Sequence, residues 1–204
     1  MTGANGIPRL RVTFNAPTVL IFVAACTLAT VLGQLSADRL TILLFATYRS
    51  SLLNPLTYLR LFTHVLGHNG WEHLFGNMIY ILLLGPLLEE KYGSRNLMQV
   101  IAITAVVTGI INSLFFPNQA LCGASGVCFA MILLSSLTSF REGEIPLTFI
   151  LVAVLFIGQE VVQGVFVSDN VSNLSHVIGG MVGAAVGFGM AGSSGSNARR
   201  RPLS

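Results

Sequence analysis

Of 204 residues, 53% are hydrophobic and 9% are charged, against about 25% charged in an average soluble domain. With a mean hydropathy of +0.75, the composition excludes a water-soluble globular chain and points to lipid as the main solvent. The net charge of +3 and pI of about 9.0 fit basic ends meeting anionic lipid, so no nucleic-acid partner is needed to account for them.

In chain order, residues 1–15 form a short segment carrying Arg9 and Arg11. Six apolar runs follow, at about 16–36, 73–88, 95–115, 123–140, 146–166 and 173–192, with no Lys or Arg in their interiors. A hydrocarbon core needs roughly 20 apolar residues per helix. The first run follows arginines as a signal peptide does, but it is long and no small-residue cleavage site is evident, so it reads as a retained helix. The connection 37–72 mixes apolar stretches with Arg49, Arg60, His64 and His68 and reads as structure lying in the interface between the first two helices. The other connections are short, which makes sequence neighbours antiparallel. Residues 193–204 are rich in Gly and Ser and end in a basic cluster, the composition of a flexible tail. The expected architecture is all-α: a polytopic six-transmembrane-helix bundle over 16–192.

Arg9 and Arg11, Lys91 and Arg95, Arg141, and Arg199, Arg200 and Arg201 fall on alternate connections. By the positive-inside rule these are cytoplasmic, which puts both termini in the cytoplasm of a multi-pass protein, expected in the cell (plasma) membrane. Cys26, Cys122 and Cys128 lack the spacing of a zinc site or a disulfide framework and read as packing residues.

Polar residues inside spans are rare unless paired or used. Here they are His73, Asn77, Ser125, Glu160 and His176. With both termini inside, the even spans all start at the outer surface. Topology alone therefore brings His73, Asn77, Ser125 and His176 to one depth.

Ser125 stands in Gly123-Ala124-Ser125-Gly126, where small neighbours let a substrate carbonyl or another helix approach the hydroxyl. Alone, such a sequence is more often a helix-packing element. His176 opens a small-residue stripe continued by Gly179, Gly180, Gly183, Ala184 and Gly187, expected to seat its helix on the one carrying Ser125 and so bring base to nucleophile. A solitary histidine at a helix end is otherwise a capping or solvated residue. His73 and Asn77, four apart, share a face and donate either to another helix or to developing negative charge. His64 and His68 repeat that spacing, but no His-Glu-x-x-His occurs, so neither metal nor cofactor is expected.

Together these residues resemble the rhomboid family of intramembrane serine proteases over about 58–189. The pieces run in order: Arg60-Leu-Phe-Thr-His64-x-x-x-His68, His73-x-x-x-Asn77, Gly85-x-x-x-Glu89-x-x-x-Gly93-Ser94, Gly123-Ala-Ser-Gly126 and His176-x-x-Gly179-x-x-x-Gly183. The resemblance implies a Ser125 nucleophile, His176 as general base without an acidic third member, and His73 with Asn77 at the oxyanion. It also implies structural roles for Arg60 and Glu89, and Gly123 and Phe129 beside the substrate. Leu59, Pro86 and Ser175 depart from the family's common residues without removing a reacting group. Phe129 stands where an aromatic, often Tyr, packs on the base.

The expected activity is endoproteolysis of transmembrane proteins in or near their spans, releasing the outer portion. Unwound, helix-weakened segments are favoured, since a helix hides its carbonyls. The alternative is a catalytically silent rhomboid-like binder of membrane proteins. A transporter is disfavoured by the absence of broken-helix pairs. Oligomeric state is open.

Overall fold

The structure, a computed structural model, describes residues 14–137, the helical positions Leu147, Ile150, Leu151, Val154, Leu155 and Gly158, and residues 172–198. The rest of the run at 146–166 with Glu160, and the basic residues Arg9, Arg11, Arg141 and Arg199 to Arg201, lie outside the described residues.

α1 (Pro17–Leu35) opens on a proline, whose fixed φ suits a first helical position. Its next two N–H groups, of Thr18 and Val19, donate to the Glu89 carboxylate at 2.8 and 3.0 Å. Negative charge at the positive end of a helix dipole is a favourable placement. Glu89 also accepts from Ser94 Oγ at 2.7 Å, so this buried carboxylate is well satisfied. It ties α1 to the junction of α4 (Trp71–Tyr92) and α5 (Ser94–Phe115). α4 runs through Pro86 without ending there, and Gly93 at φ +83° separates it from α5.

The connection after α1 folds into α2 (Arg39–Leu44), α3 (Pro55–Thr63) and a 3-10 turn (His64–Leu66). Ile42, Leu43, Leu52, Leu53, Tyr58, Leu59 and Phe62 are exposed there, as expected of structure against lipid. Arg60 is buried, its Nε donating to Leu43 O at 2.8 Å and its guanidinium 4.5 Å from the Tyr48 ring centre. Both neighbours belong to the connection, so Arg60 holds that connection together.

α6 (Ser125–Leu137) and α7 (Ser172–Ala198) complete the described helices. α1, α4 and α5 are long and apolar enough to cross a membrane; α6 and α7 carry shorter apolar stretches, Ser125–Ser136 and Ser175–Gly187. α6 is almost wholly buried, whereas every described residue between 147 and 158 is exposed and falls on one helical face. α7 packs along both α5 and α6, and α4 against α1 and α6. α7 runs past 192 to Ala198. Ser, Asn and Gly weaken a helix by at most about 1 kcal/mol each relative to Ala, which permits a few further turns.

The small-residue stripe packs on the Ser125 helix as expected, and on α5 as well. A β-carbon on Gly179 would meet Thr108 of α5, one on Gly183 would meet Thr104 of α5 and Ala130 of α6, and one on Gly187 would meet Val100 of α5 and Leu134 of α6. Gly180 faces the Ser125 helix alone, with Gly126 O at 2.9 Å and Phe129 Cδ1 at 2.8 Å from its β-position. Small residues license close approach on any face, and α7 packs along both α5 and α6, so the stripe serves both neighbours.

Candidate active site

Ser125 opens α6, where the first N–H groups have no carbonyl partner within the helix and the dipole is positive. The preceding loop is held on both sides. Thr47 and Leu121 exchange N–H···O bonds of 2.8 Å, and Gly123 N donates to His64 O at 3.0 Å. Asn112 Nδ2 adds bonds to Thr47 O and Gln119 O at 3.3 and 3.0 Å. The connection between α1 and α4 and the loop before Ser125 are thus one frame.

Within it, Ser125 Oγ lies 2.7 Å from His176 Nδ1 and 3.3 Å from Nε2. Both residues are buried. The backbones are close as well: a β-carbon at Gly126 would fall 3.5 Å from His176 O. This is the separation proton transfer requires.

His73 is half-buried near the start of α4. Asn69 N donates to its Nδ1 at 3.3 Å; with that nitrogen accepting, the neutral ring carries its proton on Nε2. Gly123 has φ +128°, and a β-carbon there would stand 2.8 Å from His73 Nε2 and 3.9 Å from Ser125 Oγ. The N–H donor and the hydroxyl therefore open on one small space, which glycine alone leaves empty. Asn77, one turn further on, is buried and donates from Nδ2 to His73 O at 3.2 Å.

Phe129 is buried between α6 and α7 with its ring against Gly180. It is 4% exposed, so it belongs to the packing beneath the serine more than to an open cleft.

The second histidine pair is committed elsewhere. His64 Nε2 bonds Ala105 O at 2.9 Å and His68 Nδ1 bonds Leu66 O at 3.1 Å. Burial pushes His64 down to about 4, partly offset by the Ala105 carbonyl, with nearby His176 adding a little. Burial, then neighbouring His73, pushes His68 down to about 3. The His68 ring meets that of His73 edge-on at 5.0 Å, so a neutral ring supports His73. Among the described residues no three His, Cys, Asp or Glu side chains converge as a metal site would need.

Two contributions were missed in the sequence. Asn69, whose N–H sets the His73 tautomer, carries no signal beyond a polar residue in a connection. Thr104 and Thr108, which meet the α7 glycines, are two hydroxyls four apart in an apolar span, and that spacing was available to notice.

Fold and site define a helical integral membrane protein with a buried serine–histidine pair at a helix N-terminus. The Rhomboid domain family matches residues 55–193, more than half of the chain, and the chain belongs to that family. It is 28% identical over 156 residues to "Rhomboid-related protein 2" of Mus musculus, covering 66% of this chain and 51% of that protein. To "Rhomboid protease GlpG" of an Enterobacter species it is 28% identical over 188 residues, covering 91% and 66%. To "Rhomboid protease GluP" of Bacillus subtilis it is 29% identical over 202 residues, covering 94% and 37%. The chain thus spans from 37% to 66% of the length of these relatives.

Proposed function

We propose that this chain is an intramembrane serine endopeptidase that cuts single transmembrane segments near the outer surface and releases their outer portion. The observation that carries the reading is the 2.7 Å contact between Ser125 Oγ and His176 Nδ1. Membership of the Rhomboid domain family and relatives named as proteases support it.

In the proposed reaction Ser125 Oγ attacks the scissile carbonyl while the imidazole of His176 takes the hydroxyl proton. Negative charge grows on the carbonyl oxygen above Gly123, toward His73 Nε2–H, the Asn77 amide and the N–H groups that open α6. The protonated imidazole then gives its proton to the leaving amine. Water, deprotonated by the same ring, hydrolyses the acyl-enzyme and frees Ser125. With no acidic third residue, packing of α7 on α5 and α6 holds the imidazole in place.

A substrate helix must unwind before its carbonyl reaches Ser125, so segments weakened by Gly or Pro are the favoured class. The proposal includes six spanning helices, the fifth over 146–166, and both termini in the cytoplasm of the plasma membrane. It is tested by incubating purified protein with a panel of single-span membrane proteins and mapping the cut bonds by mass spectrometry. Cleavage by the parent and none by Ser125→Ala is the expected result. Binding of those proteins without cleavage or fluorophosphonate labelling would overturn it in favour of a silent binder.

A further inference from the structure

Cys128 lies one turn after Ser125 on α6 and is fully buried. Its Sγ is 3.4 Å from Asn77 Oδ1 and 3.5 Å from Asn77 O, so its S–H is turned across to α4. The other end of the same carboxamide, Nδ2, donates to His73 O at 3.2 Å. The Asn77 side chain therefore has an acceptor on its nitrogen and, on its oxygen, a thiol whose one proton is shared between Oδ1 and the Asn77 backbone carbonyl.

That matters because a carboxamide has two ends of opposite hydrogen-bonding character and nearly the same shape. To meet negative charge, Asn77 must present N–H and keep its carbonyl oxygen away. In a buried setting each end is decided by what it faces, since an unpaired amide oxygen loses hydration without recompense. The His73 carbonyl selects the nitrogen end. A donor opposite Oδ1 selects the oxygen end, and Cys128 is the α6 residue that supplies it. An apolar side chain of the same size would fill the space but leave Oδ1 without that donor.

We infer that Cys128 is a positioning residue for the reaction: its thiol holds the Asn77 carboxamide with Nδ2 on the side of Ser125. The inference rests on the protease reading above. Because Cys128 and Ser125 share the first turns of one helix, the thiol also ties the position of the amide donor to that of the nucleophile. A thiol is a weak donor, so the effect is a few-fold change in turnover.

The test is kinetic and spectroscopic. In the full-length protein, Cys128→Val, close in volume and without a donor, should lower kcat about 3- to 10-fold with KM unchanged. Cys128→Ser, which restores a donor, should recover more than half of the loss. In an Asn77→Ala background Cys128→Val should change kcat by less than about 2-fold, because the amide it acts on is gone. Parent-level kcat in Cys128→Val, or an equal loss in both backgrounds, would overturn the inference. Infrared spectra give an arm that needs no turnover. The S–H stretching band of Cys128, isolated by subtracting the Cys128→Val spectrum, should change in frequency or width in Asn77→Ala, where Oδ1 is lost and only the backbone carbonyl of residue 77 remains as acceptor. An unchanged band overturns the inference even where the enzyme is active, whereas an inactive parent with a changing band overturns only the protease reading.

Discussion

A β-carbon on Gly179 would fall 1.7 Å from Thr108 Oγ1, 2.9 Å from Thr108 Cβ and 3.2 Å from Thr108 Cα. Rotating the threonine relieves the first contact but neither of the others. α7 thus rests on α5 nearly backbone to backbone, one turn past His176, and the depth of the imidazole is set by α5 as much as by the helix carrying Ser125.

Gly179→Ala should therefore move α7, at about 1–3 kcal/mol of overpacking, and a displacement near 1 Å lowers turnover on the order of 100-fold. Gly189→Ala is the control, since nothing lies within 4 Å of its β-position. The control should keep parent activity and melt no lower, alanine being the better helix former. Melting temperature in detergent and cleavage of a fluorogenic transmembrane substrate decide. Equal behaviour of the two variants would mean the α5–α7 contact is not as close as described.

Ser125→Ala and His176→Ala should each abolish cleavage while leaving the fold intact, because a methyl group replaces a reacting side chain in a bundle packed by other residues. Cleavage near the parent level in Ser125→Ala would remove the basis of the proposed function.

His73→Ala and Asn77→Ala are expected to lower kcat by about 10- to 1,000-fold without eliminating it, each removing one of several donors. His73→Ala should be the more severe, since Nε2 borders the space over Gly123. The measurement is kcat in both variants beside their melting curves. Loss of folding in both would assign the pair to helix packing instead.

Much of this site was legible in the sequence because membrane topology is so constrained. The alternation of basic connections reads as bringing the starts of the even spans to one depth, and Ser125 and His176 are in contact. Helix ends were legible where the chain marks them, as at Pro17 or at Gly93-Ser94, and less so at Trp71 and Glu72, where a polar first turn begins α4 before the apolar run does. The contact of the stripe with the Ser125 helix was legible, whereas its contact with α5 was not. Small residues announce that a backbone comes near without naming every neighbour, and only the four-residue spacing of Thr104 and Thr108 hinted at the second one. Cys128, taken for packing, faces Asn77 only because of how α4 and α6 cross, and that crossing is a property of the assembled bundle.

Acid should destabilise the fold through the connection between α1 and α4. His64 and His68 ionise near 6.5 when unfolded, but burial holds them at about 4 and about 3 in the fold. Between those values and 6.5 the unfolded chain binds more protons, so stability is complete above 6.5 and declines as pH falls toward 4. At pH 5 the loss is on the order of 1–2 kcal/mol for each histidine. Melting temperatures at pH 7.5 and 5 should differ accordingly, and His68→Gln should flatten the dependence. A melting temperature constant across this range would contradict two neutral buried rings.

Gly123→Ala isolates the space above the nucleophile. Gly123 has φ +128°, a conformation that disfavours any β-carbon by about 1–3 kcal/mol. The added carbon would also lie 2.8 Å from both Cε1 and Nε2 of His73, where the substrate oxygen is proposed to be held. Either His73 is displaced or the loop before Ser125 shifts; in both cases the donors no longer converge, while Ser125, His176 and every other reacting group remain. Turnover should fall at least about 100-fold, with the melting temperature lowered by only a few degrees. Opening the neighbouring face with His73→Ala in the same chain should recover the part of the stability lost to the clash, not that lost to the backbone conformation, and no activity, because it removes the clash together with the donor. Normal turnover in Gly123→Ala would show that the space between His73 and Ser125 is not where the reacting oxygen lies.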